Sequence, residues 1–177
     1  MIKKATIDPS GKYRYTLERV WDEENLFRVL FILLNPSTAN AEQDDATVRK
    51  CVGFAQRWGA GGLEIVNLFA LRATDPTDLS KAVDPIGPEN DERLRLTIER
   101  TWCGKRVAAW GNHGSLNGRS AQVQKMLVGR GVECFGKTKS GEPLHVLYQP
   151  YERILVPLWD ERLDYILETE GATEAHL

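Results

Sequence analysis

Three cysteines in 177 residues, Cys51, Cys103 and Cys134, are too few and too scattered for a disulfide framework, and no CxxC spacing prepares a zinc site. Each lies beside an apolar neighbour, Val52, Trp102 or Phe135, so reduced core thiols and no metal are expected. Excess charge of one sign is also missing. A net charge of −2 excludes the global basic field that drives strong non-specific binding to nucleic acid, leaving room only for a local basic groove. No apolar run approaches membrane-spanning length, and Met1-Ile2-Lys3-Lys4 is not followed by an apolar leader core, so no membrane partner and a cytoplasmic location are expected. No GxGxxG, HExxH or GxSxG pattern occurs, which removes support for NAD and serine-hydrolase chemistry, and no cofactor is expected. Repeats and low-complexity tracts are lacking too.

What remains is an ordinary folding composition, 42% hydrophobic and 27% charged. A chain of this length fits one domain over 1–177, with its core over about 13–158, a terminal helix over about 159–167 and a loose tail. The most informative stretch is Arg28-Val29-Leu30-Phe31-Ile32-Leu33-Leu34 followed at once by Asn35-Pro36-Ser37. An apolar, partly β-branched run stopped by Asn-Pro predicts a strand buried on both faces that ends abruptly at a turn.

Around that strand the pattern is α/β. Tyr13 to Trp21 alternates with period two and predicts an antiparallel lead-in strand, and the run from Arg28 is expected both to pair with it as a hairpin and to lie centrally in the sheet. Asp44-Asp45-Ala46-Thr47 can cap a helix carrying Val48, Cys51, Val52, Ala55 and Trp58, which Gly59 closes. Leu63 to Phe69 predicts the next strand, and Ala73 to Pro88, punctuated by prolines, a loop with a short helix near Leu79. Helical spacing covers Glu89 to Trp102 and Leu116 to Val128; Arg106 to Trp110 and Val132 to Gly136 read as further strands. The fold class expected is therefore a three-layer α/β domain with a central four-stranded parallel sheet and one added N-terminal antiparallel strand.

In a parallel sheet the strand C-termini share one edge, so four loops converge there: Asn35-Pro36-Ser37, Asn67 with Arg72, Asn112-His113, and Lys137 to Tyr148 with Lys139 and His145. Asn35 serves equally as a turn former and as an amide able to orient water. His113 fits a capping role or a site, and His145 a surface position or a site. Asp44 and Asp45 most simply cap their helix, although acids near a site can also position water.

Leu33-Leu34-Asn35-Pro36-Ser37-Thr38-Ala39, Asp44-Asp45-Ala46-Thr47, Val66-Asn67-Leu68-Phe69-Ala70, Gly87-Pro88-Glu89-Asn90-Asp91, Trp110-Gly111-Asn112-His113-Gly114 and Gly136-Lys137-Thr138-Lys139-Ser140-Gly141 together resemble a bacterial family, domain of unknown function 1643. That likeness covers about Tyr13 to Pro157. More distantly, the order of Asn35-Pro36-Ser37, of Asn67-Leu68 with Arg72 and Thr74, and of His145 resembles the uracil-DNA glycosylase superfamily. Leu33 and Ser37 stand where that superfamily often has Gly, and Val146 where Pro follows the His. The resemblance implies hydrolysis of an N-glycosidic bond to a modified base in nucleic acid. Asn35 would hold water and His145 the departing base, both as catalytic residues. Pro36, Ser37, Asn67, Arg72, Asn112, His113, Lys137, Lys139 and Tyr148 would bind substrate, with Phe54 or Tyr148 as a stacking surface. The alternatives are a non-catalytic nucleic-acid or nucleotide-binding module, and a protein-interaction domain of a defence or mobile-element system. DNA or a nucleotide is the expected partner, and the oligomeric state is left open.

Overall fold

The computed structural model describes residues 1–100 and 103–159. The side chain of Cys103, the end of the helix expected to reach Trp102, and the terminal helix expected beyond Trp159 lie outside the described residues. Among the described residues seven strands form one mixed sheet: β1 (Ile2–Ile7), β2 (Arg14–Val20), β3 (Arg28–Leu33), β4 (Gly62–Asn67), β5 (Cys103–Ala108), β6 (Val132–Cys134) and β7 (Val156–Pro157), in the order β1-β2-β4-β3-β5-β6-β7. The β4-β3, β3-β5 and β5-β6 pairs are parallel; the β1-β2, β2-β4 and β6-β7 pairs are antiparallel.

Among the described residues three α-helices accompany the sheet: α1 (Ala46–Arg57), α2 (Asn90–Glu99) and α3 (Arg119–Leu127). Successive side chains of a strand point to opposite faces. Val29, Phe31 and Leu33 accordingly join Leu63, Ile65 and Val107 in a cluster with Val48, Cys51, Phe54 and Ala55 of α1. Leu30, Ile32 and Leu34 join Val66, Ala108 and Trp110 in a second cluster with Leu94 and Ile98 of α2 and Val123 and Leu127 of α3. From β3 the chain moves one way through α1 to β4, then back across β3 through α2 to β5. Right-handed crossovers in opposite directions put α1 and α2 on opposite faces. Asp45 starts α1 as its N-cap, its Oδ1 accepting from the Val48 backbone N–H at 2.9 Å, and Gly59 at φ 78 turns the chain out of it.

Four expectations need correction. The sheet has seven strands, because the polar N-terminus adds β1 at one edge and Val156–Pro157 adds β7 at the other. β2 does not form a hairpin with β3; it pairs antiparallel with β4, Leu17 opposite Ile65, and leaves β3 between β4 and β5. α2 ends at Glu99, since Arg100 is extended at ψ 124. α3 begins only at Arg119, because Asn117 at φ 52 and Gly118 at φ 67 break a preceding 3-10 segment over Asn112–Gly118. Among the described residues no helix is long and apolar enough to cross a membrane. Cys51 and Cys134 are buried and free.

The turn after β3 is anchored by a charged residue in the core. Arg19 is fully buried, and its guanidinium reaches the Asp44 carboxylate at 2.7 Å and the backbone carbonyls of Glu18 and Asn40 at 2.8 and 2.6 Å. It thereby ties the loop ahead of α1 to β2. Removing one member of such a set leaves buried carbonyls and a carboxylate without their donor. Arg19→Ala is expected to cost about 3 kcal/mol, whereas Lys81→Ala, which breaks an exposed pair with Asp78, should cost under about 1 kcal/mol. Chemical denaturation checks both; equal midpoints would show that Arg19 carries no structural weight.

Candidate functional site

In an open α/β sheet the crevice lies where neighbouring strands send their connections in opposite directions. Here that point is between β3, which leads to β4, and β5, which leads to β6. A cavity of about 600 Å³ opens there, walled by Leu34 and Asn35 after β3, Trp110, Gly111 and Asn112 after β5, and His145 and Tyr148 from the last loop. Asp45 at the head of α1 completes the wall.

Asn35 follows the last buried residue of its strand, and its geometry fixes the orientation of its amide. Nδ2 donates to the carbonyls of Pro36 at 2.9 Å and Ala73 at 2.8 Å. Both partners are acceptors, so the NH2 group must face them and Oδ1 is the free acceptor. One amide thus joins the loop after β3 to the loop after β4 while presenting a neutral oxygen.

His145 is set by a complementary arrangement. It caps a 3-10 turn over Val146–Tyr148, and its Nδ1 accepts from the Leu147 backbone N–H at 3.2 Å. A neutral imidazole with Nδ1 as acceptor carries its proton on Nε2, so that nitrogen is a donor. Burial lowers the imidazole pKa from its ordinary value, and the Asp45 carboxylate partly offsets this. The neutral form is therefore favoured at pH 7. Gly111 makes the close approach possible: at φ 74, a Cβ there would sit 3.3 Å from the His145 Cβ. Tyr148, 80% exposed, stands at the rim with its ring centroid 5.8 Å from that of His145.

Of the residues singled out from the sequence, Asn35, Ser37, Asn112, His113, His145 and Tyr148 line this one cavity. The others do not. Pro36 is buried and contributes its carbonyl to Asn35. Asn67 is fully buried at the end of β4, and its side-chain amide has no partner among the described residues. Arg72 lines an adjacent depression, Lys137 a separate one beside Trp159, and Lys139 is exposed on its loop. Phe54 is fully buried against Trp58, Phe135 and Tyr151 and has no face to offer a ligand.

Several wall residues escaped the sequence reasoning. Trp110 is fully buried, its Nε1 donating to Glu142 at 2.6 Å, and Glu142 also accepts from Ser120 at 2.8 Å. A Trp at a strand end reads locally as core, which it also is. Thr47, Thr74 and Gln149 belong to the wall as well. Asp45 gave a signal in the Asp44-Asp45 pair, but capping explained it sufficiently. It does both: Oδ2 lies 3.4 Å from the Ala39 backbone N–H, Oδ1 caps α1, and its charge reaches His145. Among the described residues no cluster of three His, Cys, Asp or Glu side chains is placed to hold a metal ion.

Asp45→Asn separates those two duties, since Asn caps a helix as well as Asp does. Helix α1 should persist. Loss of the anion removes what favours the imidazolium, so the His145 titration should move to lower pH. NMR of the imidazole resonances measures the midpoint; an unchanged or higher value would break the electrostatic link between the two residues.

No curated protein and no solved structure matches the chain. A family model does match it, over residues 14–147, from the start of β2 to the turn that holds His145 and so across most of the cavity wall. That model is described as Protein of unknown function (DUF1643), and the chain belongs to this family.

Proposed function

We propose that this chain hydrolyses the N-glycosidic bond of a modified base in nucleic acid. The observation that carries the proposal is the pairing of a free acceptor with a free donor on one cavity: Oδ1 of Asn35, whose Nδ2 is spent on two backbone carbonyls, and Nε2 of His145, whose Nδ1 is spent on a backbone N–H. A three-layer sandwich of the uracil-DNA glycosylase kind belongs to the same proposal. It is supported by the parallel run β4-β3-β5-β6 and by helices packed against both faces.

The chemistry suits a site without a strong base. When the C1′–N bond breaks early, the sugar becomes oxocarbenium-like and the base leaves with negative charge. The electron pair of the bond goes to the base, and water adds at C1′ afterwards, giving up its proton to solvent. Asn35 Oδ1 accepts a hydrogen bond from that water and fixes its position. His145 Nε2–H donates to the departing base as its charge grows, and a neutral donor does this without first surrendering its proton. Tyr148 at the rim offers a ring on which a flipped base can stack.

Occupation of both Asp45 oxygens by backbone N–H groups favours a second reading, a module that binds a nucleobase without turnover. Base release from oligonucleotides carrying uracil, hypoxanthine, xanthine or alkylated bases decides between them. Asn35→Ala should lower kcat by about 100-fold with a small change in binding, because the water matters chiefly in the transition state. His145→Ala should weaken both binding and turnover. With His145 acting as the neutral donor, activity should be flat above pH 6.5 and fall once pH drops through its lowered pKa. Equal turnover by wild type and Asn35→Ala would remove Asn35 from the mechanism; oligonucleotide binding without release of any of these bases would establish the second reading.

A further inference from the structure

Beside the cavity lies a second depression of about 340 Å³, lined among others by Lys12, Ser37, Thr38, Arg72 and Thr74. Ser37, Ala73 and Thr74 belong to both walls, so the two hollows are neighbours across that shared segment. We propose that this depression holds a phosphate of the strand whose base enters the cavity, an inference that rests on the base-binding reading of that cavity.

Unanswered positive charge is the main argument. Lys12, Arg14 and Arg72 come together where β2 begins and the loop after β4 passes: the Arg72 backbone N–H donates to the Lys12 carbonyl at 2.9 Å, and Arg72 Nη1 reaches the Gly11 carbonyl at 3.2 Å. None of the three forms an ion pair among the described residues. Arg14 is 2% exposed, and burial lowers its pKa to about 10, with Arg72 among the neighbouring charges that push the same way. A buried cation beside the half-buried Arg72 is costly unless an anion answers it.

The nearby carboxylates are committed elsewhere. Asp45 does favour the Arg14 charge but is held by the backbone N–H groups of Val48 and Ala39, and Asp8 is held by Ser10 Oγ and the Tyr13 N–H. Nε of Arg72 and Nε of Arg14 are buried with no partner. Arg14 donates Nη1 to the Ala39 carbonyl at 2.9 Å and stands behind the depression, whereas Arg72 lines it, and an idle buried guanidinium donor on that wall marks a place where a ligand completes the set.

The donor set identifies the anion. A planar guanidinium, an ammonium and the hydroxyls of Ser37, Thr38 and Thr74 offer more donors than a carboxylate has oxygens to receive, whereas a phosphate can use them. The position agrees, since one sugar separates a base from its phosphate and one shared wall separates the two hollows.

Binding can be measured for wild type, Arg72→Gln, the double variant Lys12→Ala/Arg72→Gln, Arg72→Lys and, as a distant control, Arg130→Gln, with thermal melting to establish that each is folded. The probes are thymidine, thymidine 3′,5′-bisphosphate and a single-stranded oligothymidylate. Arg72→Gln should weaken the phosphate-bearing probes about tenfold and leave thymidine unchanged, and Arg72→Lys should recover most of the loss. In the double variant the slope of log affinity against log salt for the oligonucleotide should fall by about one. Dependence seen with both phosphate probes points to any nucleotide phosphate, and dependence confined to the oligonucleotide to a polynucleotide backbone; both support the subsite. Unchanged affinity in Arg72→Gln, equal loss for thymidine, or no binding of either phosphate probe by wild type at millimolar concentration would overturn it. Arg72-dependent binding without base release would remove the glycosidase reading and keep this one. Base release that is indifferent to Arg72→Gln and Lys12→Ala would do the reverse.

Discussion

Burial of β3 on both faces governs the architecture around it. Leu30, Phe31 and Ile32 have no exposed surface, and β4 and β5 occupy both edges of the strand. A segment so enclosed can keep its backbone satisfied only as a strand within a sheet, and it must leave the core at one point. That point is Leu34-Asn35-Pro36. Proline supplies no N–H and restricts the residue before it, so the ladder stops and Asn35 is held at the sheet edge with its side chain free to hydrogen-bond. Its Nδ2 then secures the carbonyls of Pro36 and Ala73, fixing the two loops against one another.

The same economy recurs around the cavity. Two polar groups at the wall are each tied at one atom to the backbone and left with another: Asn35 keeps Oδ1, and His145 keeps Nε2. Groups held in this way need little reorganisation when charge develops nearby, which is how fixed dipoles lower a barrier. The loops also gain rigidity from the ends of β4, where Asn90 Nδ2 and Arg119 Nε donate to the carbonyls of Asn67 and Leu68. Helices α2 and α3 thus brace the loop that carries Ala73 and Arg72. His145 is half-buried, and desolvation lowers its pKa and favours the neutral imidazole, which accepts at Nδ1 from Leu147 and donates from Nε2.

Elements with strong local patterns were legible in the sequence. The strand before Asn35, the capped helix after Asp45 and the turn at Gly59 each combine hydrophobic spacing with a terminal signal. β1 was not, because an edge strand with Lys3 and Lys4 exposed has no apolar run and is defined only by its pairing with β2. The partnership of β2 with β4 is a contact between distant segments, and no local period encodes it. Local spacing starts helix α3 too early because Leu116 fits the helical period, while the backbone at Asn117 and Gly118 does not. Convergence of Asn35, His113 and His145 followed from parallel topology alone. The separation of Arg72 into its own hollow, the inward position of Asn67 and the buried guanidinium of Arg14 depend on side-chain direction and packing, which composition does not carry.

The central claim is that Asn35 and His145 address one nucleobase from two sides. It is tested most directly by a crystal structure of the protein with a single-stranded oligonucleotide whose modified base is joined to a 2′-fluorinated sugar, since fluorine slows bond breaking by disfavouring the oxocarbenium-like state. The account predicts a flipped base in the cavity, a hydrogen bond from His145 Nε2 to the base edge, and an ordered water between Asn35 Oδ1 and C1′. An oligonucleotide bound on another face with the cavity filled only by solvent, or a base that contacts neither side chain, would contradict it.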